Sequence, residues 1–346
     1  MAGTPIGTSG LELPRVIFGS SNLGNLFTAH SDETKLAIAK AWFDHADTPV
    51  MVDTAGKYGA GLALESIGKN LRELGVPPEN IIINNKLGWA RTPLTTPEPT
   101  FEPGAWVGLE HDAVQKISRD GILECWREGD ALLGAPYASA TASVHDPDEY
   151  LAAASDDADR ERRLRDVLEA YEALAELRES GRIAAVGIGA KDWRVIEELD
   201  RHVAFDWVMI ANSLTIYSHP TDLLAFLDRL EGKGVPVINS AVFHAGFLVG
   251  GAYFDYRAVD PADPDDAKLL AWRAKFHELC TRHDVPPGVA CVRFAVAPAA
   301  VKSIAVNSSR AERLAQFVDA VDADVPAGLW ADLKTEGLIR DDFPIG

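Results

Sequence analysis

Four residues that can move protons, Asp53, Tyr58, Lys86 and His145, follow three apolar segments of the sequence at the points where those segments end. The phenol of a tyrosine has a pKa of about 10, which is too high for a base at neutral pH, and a neighbouring ammonium group lowers it. Lys86 can supply that charge, and Asp53 can hold it in place. Tyr58 would then exchange a proton with a substrate oxygen that His145 also hydrogen-bonds. These four residues, here named the tetrad, predict proton transfer coupled to hydride transfer with a nicotinamide cofactor.

Each member of the tetrad has a more ordinary interpretation when it is taken alone. Asp53 could cap a helix, Tyr58 could be a surface aromatic, and His145 could bond to backbone at a strand end. Lys86 is harder to explain in this way, because it follows an apolar segment and a buried lysine needs a partner or a lowered pKa. The occurrence of all four at three consecutive strand ends makes the catalytic interpretation much more specific.

The elements that must position the tetrad alternate along the chain. Segments typical of strands are 15–19, 50–53, 81–86, 142–145, 184–188, 207–211, 235–239 and 301–306. Segments with helical periodicity are 33–45, 62–74, 112–133, 164–180, 193–201, 222–231, 267–283, 288–297 and 310–321. This alternation predicts an α/β fold, a closed parallel (β/α)₈ barrel of the TIM type that forms a single domain over residues 1–346. The carboxyl ends of barrel strands share one face, where the tetrad would meet.

An open doubly wound sheet is the competing architecture. It usually carries Gly-x-Gly-x-x-Gly after its first strand, and residues 19–24 do not match that pattern. Two long segments, 87–111 and 243–266, show no clear periodicity. Long irregular segments in a compact domain are usually functional, so we expect long loops over the active site.

At the tetrad the sequence resembles the aldo-keto reductases. Residues 53–59 read Asp-Thr-Ala-Gly-Lys-Tyr-Gly, which is similar to that family's Asp-Thr-Ala-x-x-Tyr-Gly signature. Lys86 at a strand end and His145, followed by Asp146 and Pro147, match the remaining catalytic positions of the family. The resemblance implies an NAD(P)-dependent oxidoreductase in which the tetrad is catalytic.

The resemblance also implies which residues bind the cofactor. They are Gly19, Asp53, Asn212, Ser240, Asn307, Ser308, Ser309 and Arg313. Asn212 stands where the family hydrogen-bonds the nicotinamide amide, whereas Ser240 stands where many members have a tyrosine that stacks on the nicotinamide. Residues 307–314 resemble the family's pyrophosphate and adenosine stretch, and the N-terminus of a helix suits phosphate.

The choice between NAD and NADP stays open at this point. Arg313 matches a family arginine that pairs with the adenosine 2′-phosphate. Asn307, however, occupies a position that is often lysine in NADP-preferring members. One cation fewer weakens the attraction for a dianionic phosphate.

Within the family, the sequence looks most like the aldose 1-dehydrogenases, which oxidise a sugar such as L-fucose or a D-threo-aldose at C1 to the lactone. The expected substrate contacts are Tyr58, Trp89, His145 and Phe243, and Trp106 is a further aromatic of the long loops. Three alternatives remain: an NADPH-dependent aldehyde or carbonyl reductase, a pyridoxal 4-dehydrogenase, and a cofactor-binding regulatory subunit with little turnover.

Composition limits the partners. The 346 residues are 47% hydrophobic and carry a formal net charge of −19, which disfavours binding to nucleic acid or to anionic membrane surfaces. Three scattered cysteines favour neither a disulfide framework nor a metal site, and the first residues lack a signal-peptide pattern. We therefore expect a cytoplasmic, metal-free enzyme for a small sugar or carbonyl substrate, either a monomer or a homo-oligomer.

Overall fold

Eight parallel strands close into a barrel, and each hydrogen-bonds to the next in chain order. The structure is a computed structural model, and it describes residues 3–255 and 257–345. The barrel strands are β1 (Val16–Gly19), β2 (Val50–Ala55), β3 (Ile81–Leu87), β4 (Thr141–His145), β5 (Ala185–Ala190), β6 (Trp207–Ala211), β7 (Val237–Ser240) and β8 (Val301–Val306). The prediction of a (β/α)₈ barrel is confirmed.

Helices surround the barrel and connect its strands. They are α1 (Asp32–His45), α2 (Leu62–Glu73), α3 (Arg119–Leu133), α4 (Pro147–Ala152), α5 (Asp157–Glu179), α6 (Trp193–Leu199), α7 (Thr221–Lys233), α8 (Pro264–Arg282), α9 (Pro287–Ala295), α10 (Glu312–Ala320) and α11 (Ala327–Thr335). Their apolar faces are buried, as at Ile67 and Leu71 of α2, and each such side chain contributes about 1.5–3 kcal/mol. Gly68 permits close packing of α2 on α3, since a Cβ there would lie 1.8 Å from the Leu133 carbonyl oxygen. None of the helices in the described part of the chain is long and apolar enough to cross a membrane.

Apolar side chains fill the barrel interior near the start of the strands. Ile17, Met51 and Trp207 belong to one buried cluster there. An N-terminal hairpin within residues 4–13 adds Ile6 to the same cluster. This end of the barrel is therefore packed, and polar side chains collect at the opposite face, where the strands end.

The segment after β3 contains regular structure that the sequence analysis missed. Trp89–Pro93 and His111–Gln115 pair as antiparallel strands. The prediction of a helix over residues 112–133 is therefore wrong at its beginning. α3 begins only at Arg119, because the side chain of Ser118 caps the helix there and residues 111–115 are paired in the hairpin.

Other element boundaries also differ from the predictions. α5 begins at Asp157, whereas helical periodicity was expected only from residue 164, because Asp156 caps an early turn rich in ion pairs. β7 begins at Val237 instead of residue 235, and Pro236, which has no N–H, precedes it. The long segment after β7 contains a short antiparallel pair, Tyr253–Phe254 with Arg257–Ala258. α4 and α11 were not predicted.

Candidate active site

Three neighbouring barrel strands bring the tetrad together. Asp53 lies in β2, Lys86 in β3 and His145 at the end of β4, while Tyr58 lies in the turn that follows β2. Lys86 Nζ donates to Asp53 Oδ2 in a buried ion pair. The same Nζ lies 4.8 Å from the centroid of the Tyr58 ring, and the His145 ring meets that ring edge-on with centroids 5.6 Å apart. The structure therefore places all four side chains in one cluster.

Asp53 is held from two sides. Besides accepting from Lys86, it accepts at Oδ1 from Asn84 Nδ2 at 2.8 Å. Asn84 is itself fixed, because its Oδ1 accepts from the Thr141 hydroxyl at 2.8 Å. Buried charges persist only when they are paired and hydrogen-bonded, and Asp53 meets both conditions. Lys86 is consequently anchored rather than free to move within the barrel mouth.

The pKa of Tyr58 differs in direction from the sequence expectation. Burial raises the pKa of the phenol well above its usual value, and the carboxylates of Asp53 and Asp146 raise it further, while Lys57 opposes them. The sequence predicts that Lys86 lowers this pKa, but the positive charge of its ammonium group is balanced by the Asp53 carboxylate in direct contact with it. Tyr58 is thus a neutral phenol at physiological pH.

His145 is a neutral imidazole for a related reason. Burial lowers its pKa well below the usual value, and the effect of Asp146, which raises it, is outweighed by burial together with the cations nearby. His145 Nε2 lies 3.5 Å from Asp146 Oδ2. His145 Nδ1 is buried and has no hydrogen-bond partner among the described residues, so it is available to a ligand.

Three aromatic side chains, Trp89, Phe101 and Trp106, form a wall beside Tyr58, here named the aromatic wall. Ring centroids are 5.8 Å apart between Trp89 and Phe101, 6.1 Å between Phe101 and Trp106, and 5.9 Å between Trp106 and Tyr58. All three come from the segment after β3 or from its hairpin. Trp89 Nε1 is buried without a hydrogen-bond partner in the described residues. Phe101 and Trp106 are buried and Trp89 is half-buried, so Trp89 is the member of the wall that keeps an accessible face, and it also carries an unused N–H donor.

Two charged residues next to the tetrad were not recognised as site residues from the sequence. Lys57 precedes Tyr58 and is buried, and its Nζ lies 2.8 Å from Asp146 Oδ2. Asp146 follows His145 directly and is also buried. The available signal was their position, since each is a charged residue immediately beside a member of the tetrad. That signal does not reveal that the two side chains pair across the site.

Asn212 carries an unused acceptor at the end of the barrel. It follows β6 with φ +61°, and its Nδ2 donates to Asp255 Oδ1 at 2.8 Å. Its Oδ1 is buried and accepts no hydrogen bond from the described residues, and the hydroxyl of Ser213 is similarly unpartnered. A buried acceptor without a donor is costly, and the N–H₂ of a carboxamide would satisfy it. The residues present here fit a nicotinamide amide.

Two other residues expected at the site, Ser240 and Phe243, make contacts within the protein. The hydroxyl of Ser240 donates to the carbonyl of Ile210 at 3.0 Å, so it is used between β6 and β7. Phe243 is buried in the main hydrophobic core, where its ring lies 4.7 Å from that of Phe317 in α10. The assignment of Phe243 to the substrate, or to stacking on the nicotinamide, stays a prediction, and the ring contact described here is with Phe317. The aromatic ring that contacts Tyr58 directly comes from the aromatic wall, at Trp106.

Residues 307–313 lie where the last strand meets the first. Asn307 Nδ2 donates to the Ser21 hydroxyl at 2.7 Å, and Asn307 Oδ1 accepts from Asn22 at 3.0 Å. Gly19 leaves room for this arrangement, since a Cβ there would lie 3.1 Å from Asn307 Cβ. The amide of Asn307 is therefore engaged within the protein.

The N-terminus of α10 lacks a side-chain cap. Its N-cap residue is Ala311, and the Ser308 hydroxyl instead bonds within a turn, accepting from the N–H of Arg310 at 3.0 Å. Ser309 and Arg313 are exposed. Exposed backbone N–H groups at the start of a helix favour an anion, so this end of α10 fits a phosphate group.

Residues 15–335 match the sequence profile of the Aldo/keto reductase family, and the chain belongs to this family of oxidoreductases. Among curated proteins, it is 27% identical over 349 aligned positions to pyridoxal 4-dehydrogenase from Microbacterium luteolum, covering 96% of this chain and 97% of that protein. It is equally 27% identical to D-threo-aldose 1-dehydrogenase from a Pseudomonas species, covering 96% of each. The family predicted from the tetrad is thereby confirmed.

Solved structures support the same fold. A glycerol dehydrogenase from Gluconobacter oxydans superposes with a TM-score of 0.69 at 15% sequence identity, covering 97% of this chain and 94% of that one. An aldo-keto reductase from Bacillus halodurans, in its holo form, superposes with a TM-score of 0.68 at 18% identity and covers 100% of both chains. At these identities the similarity establishes the barrel alone.

Proposed function

We propose that this chain is an NAD(P)-dependent oxidoreductase that oxidises an aldose at C1 to the lactone, with Tyr58 as general acid and base. The observation that carries the proposal is the cluster at the barrel mouth. The Lys86 ammonium lies 4.8 Å from the centroid of the Tyr58 ring, and the His145 ring is 5.6 Å from that centroid. Membership of the Aldo/keto reductase family supports the reaction class.

Tyr58 exchanges the proton of the substrate oxygen. Because its pKa is raised, it is protonated at neutral pH and donates to a carbonyl oxygen when the reaction runs towards reduction. In the direction of oxidation, the same phenolic oxygen takes up the hydroxyl proton of the substrate. That step requires the ionised phenol, so oxidation should accelerate as the pH rises.

The remaining members of the tetrad orient Tyr58 and polarise the substrate oxygen. Lys86 keeps a positive charge beside the Tyr58 ring, and Asp53 holds Lys86 in position. Neutral His145, in the tautomer with its hydrogen on Nδ1, would donate that N–H to the substrate oxygen, since Nδ1 has no other partner in the described residues. Preorganised groups of this kind stabilise charge that develops on the reacting oxygen.

The cofactor would be held along the barrel mouth from β6 to α10. Asn212 would accept from the nicotinamide amide, and Ser308, Ser309 and the start of α10 would hold the pyrophosphate. The bound nicotinamide supplies or takes up the hydride. Arg313 is exposed and could pair with a 2′-phosphate, whereas Asn307 is engaged with Ser21, and we leave both NAD and NADP open.

The substrate assignment rests on two supports. The D-threo-aldose 1-dehydrogenase and the pyridoxal 4-dehydrogenase are both 27% identical to the chain over almost its entire length. The aromatic wall packs beside Tyr58, and its half-buried member Trp89 has a flat apolar face of the kind that packs against the C–H face of a sugar ring or against a planar heterocycle.

The decisive experiment compares reduction of NAD⁺ and NADP⁺ with L-fucose, D-arabinose, L-galactose and pyridoxal. Turnover of an aldose with formation of the lactone is the expected result. Turnover of pyridoxal alone would replace the substrate assignment and keep the mechanism. Failure with all four substrates and both cofactors would refute the dehydrogenase function.

A second candidate is an NADPH-dependent aldehyde or carbonyl reductase. The raised pKa of Tyr58 favours it, because a neutral phenol is ready to donate a proton to a carbonyl oxygen. Steady oxidation of NADPH by nitrobenzaldehyde without oxidation of any sugar would select this candidate over the first.

A further inference from the structure

Lys57 occupies one of the two positions that the signature Asp-Thr-Ala-x-x-Tyr-Gly leaves open, yet it is almost completely buried, with 3% of its surface exposed. Its Nζ lies 2.8 Å from Glu102 Oε1, 2.8 Å from Asp146 Oδ2 and 3.0 Å from Glu149 Oε2. The three carboxylates stabilise the buried lysine, because each of them offsets part of the free-energy cost of removing the ammonium group from water. The tetrad does not account for it.

The partners of Lys57 come from separate parts of the chain. Glu102 lies between the two strands of the hairpin after β3, and Asp146 and Glu149 lie at the end of β4 and in α4. Lys57 itself directly precedes Tyr58, and Asp146 directly follows His145. One ammonium group therefore joins the turn that carries Tyr58, the strand end that carries His145 and the segment that carries the aromatic wall.

Glu102 extends this connection to the aromatic wall. While its Oε1 pairs with Lys57, its Oε2 accepts from Trp106 Nε1 at 2.7 Å. Trp106 in turn lies 5.9 Å from Tyr58 between ring centroids, and Lys57 Nζ lies 4.9 Å from the Trp89 ring. Glu102 has φ +44°, a conformation that costs free energy in a non-glycine residue and persists only when its surroundings hold it.

We propose that Lys57 is a positioning residue of the reaction proposed above, which holds the aromatic wall against Tyr58 through Glu102 and fixes the Asp146 carboxylate beside His145. The inference rests on the proposed function for its catalytic meaning. Its structural content, the tether between Lys57 and residues 101–106, is independent of which substrate is turned over.

The charge of Lys57 supports its role as a positioning residue. Burial alone would lower the pKa of Lys57, but the carboxylates of Asp146, Glu102 and Glu149 outweigh it and hold that pKa above its ordinary value. Lys57 therefore stays charged. The ionisable groups that face His145 are Asp146, Lys86, Lys57, Lys191 and Tyr58. Loss of the Lys57 charge would leave Asp146 less compensated and raise the pKa of His145.

The test begins with Lys57→Met, compared with Lys69→Met as a matched control. Lys69 is a half-exposed lysine whose ion pair with Asp32 lies on the surface, where such pairs contribute little. Hydrogen–deuterium exchange is measured on peptides that cover residues 101–107 and on the barrel strands. In Lys57→Met we expect faster exchange confined to 101–107 and to the segments around Tyr58 and Asp146, and in Lys69→Met no change there.

Two further measurements separate tethering from general disruption. With the substrate that the wild type turns over, kcat/KM of Lys57→Met should fall about 10²-fold, mainly through KM, because a misplaced wall weakens positioning. NMR titration of histidine-labelled protein, assigned with His145→Gln, should show a higher pKa of His145 in Lys57→Met. Lys57→Arg keeps the charge and should leave that pKa close to the wild-type value.

Glu102→Gln is the second variant, and it keeps the proposal testable if Lys57→Met does not fold. It removes one charged partner of Lys57 and leaves the pair with Asp146, so it should loosen 101–107 with little change in the pKa of His145. Wild-type exchange over 101–107 in both variants, or an unchanged pKa of His145 in Lys57→Met, would overturn the inference. Absence of turnover by the wild type would refute the proposed function instead, since exchange and NMR need no substrate.

Discussion

Replacing Tyr58 by phenylalanine removes one oxygen atom from the site and leaves the ring in place. The ring contacts with Trp106, His145 and Lys86 do not use the hydroxyl, so they should persist. The hydroxyl makes no hydrogen bond to another described residue, and its removal strands no buried partner. We therefore expect the free energy of unfolding to change by about 1 kcal/mol at most.

The effect on turnover should be far larger. General acid–base catalysis contributes roughly 10²–10⁴-fold, which corresponds to about 3–5 kcal/mol of activation free energy. In Tyr58→Phe we expect kcat to fall by that factor, while the dissociation constant of the nucleotide changes little. A fall in kcat without loss of nucleotide binding would show that proton transfer is what the hydroxyl supplies.

The assay combines steady-state turnover with fluorescence titration of the nucleotide and thermal unfolding. Tyr150→Phe is the matched control, since its hydroxyl donates to Asp166 at 2.7 Å in the contact between α4 and α5 and takes no part in the tetrad. That variant should turn over at the wild-type rate. Wild-type turnover in Tyr58→Phe would refute the role of the phenol, and loss of nucleotide binding would point to a misfolded site.

Further outcomes are expected from the same cluster. Because the pKa of Tyr58 is raised, the rate of carbonyl reduction should be constant through neutral pH and fall only at alkaline pH, whereas the rate of alcohol oxidation should increase with pH. pH–rate profiles in both directions measure this, and an oxidation rate independent of pH would contradict it. Lys86→Met should lower the free energy of unfolding by about 3–5 kcal/mol in urea titrations, because it leaves the Asp53 carboxylate buried and unpaired; the double variant with Asp53→Asn should regain part of the loss. Arg313→Ala should weaken binding of NADP by about 10-fold and leave NAD unaffected if the guanidinium pairs with the 2′-phosphate, and equal effects on both nucleotides would argue against that pairing.

The barrel and the placement of the tetrad were accessible from the sequence for a topological reason. In a parallel barrel every strand delivers its last residues to the same face, so polar residues at three consecutive strand ends must be neighbours. The alternation of strands with helices gave the strand order as well, and the antiparallel hairpin after β3 was missed because its two halves are separated by residues 94–110 without regular periodicity.

The electrostatics of the site were not accessible in the same way. The sequence places a lysine near Tyr58, but whether that charge lowers the pKa of the phenol depends on what else the ammonium contacts. In the structure Lys86 is paired with Asp53, and burial makes the pKa of Tyr58 shift upwards. One of the three ion pairs of Lys57 is with Glu102, which lies in an irregular segment whose path no periodicity predicts.

Phe243 shows a further limit of sequence reasoning. Its position after β7 suggested a ring over the nicotinamide, but a residue that follows a strand end can turn either inwards to the mouth or outwards to the helices. The Phe243 ring packs against Phe317 of α10. Only the backbone conformation of residues 241–246, with several positive φ angles, decides between the two directions.

β8 pairs with β1, and Asn307 reaches across this junction to Ser21 and Asn22. The junction of β1 and β8, where the barrel closes, therefore lies next to the segment assigned to the adenosine end of the nucleotide. The proton-transfer groups, in contrast, lie on or just after β2, β3 and β4, which are synthesised early. A ribosome-bound chain that has emerged only as far as α4 already contains Asp53, Tyr58, Lys86 and His145, and β1 can already pair with β2, yet β1 still lacks its second partner, β8, and the chain lacks the segment assigned to the nucleotide. Competence to bind nucleotide should thus appear last, when the C-terminal strand closes the ring.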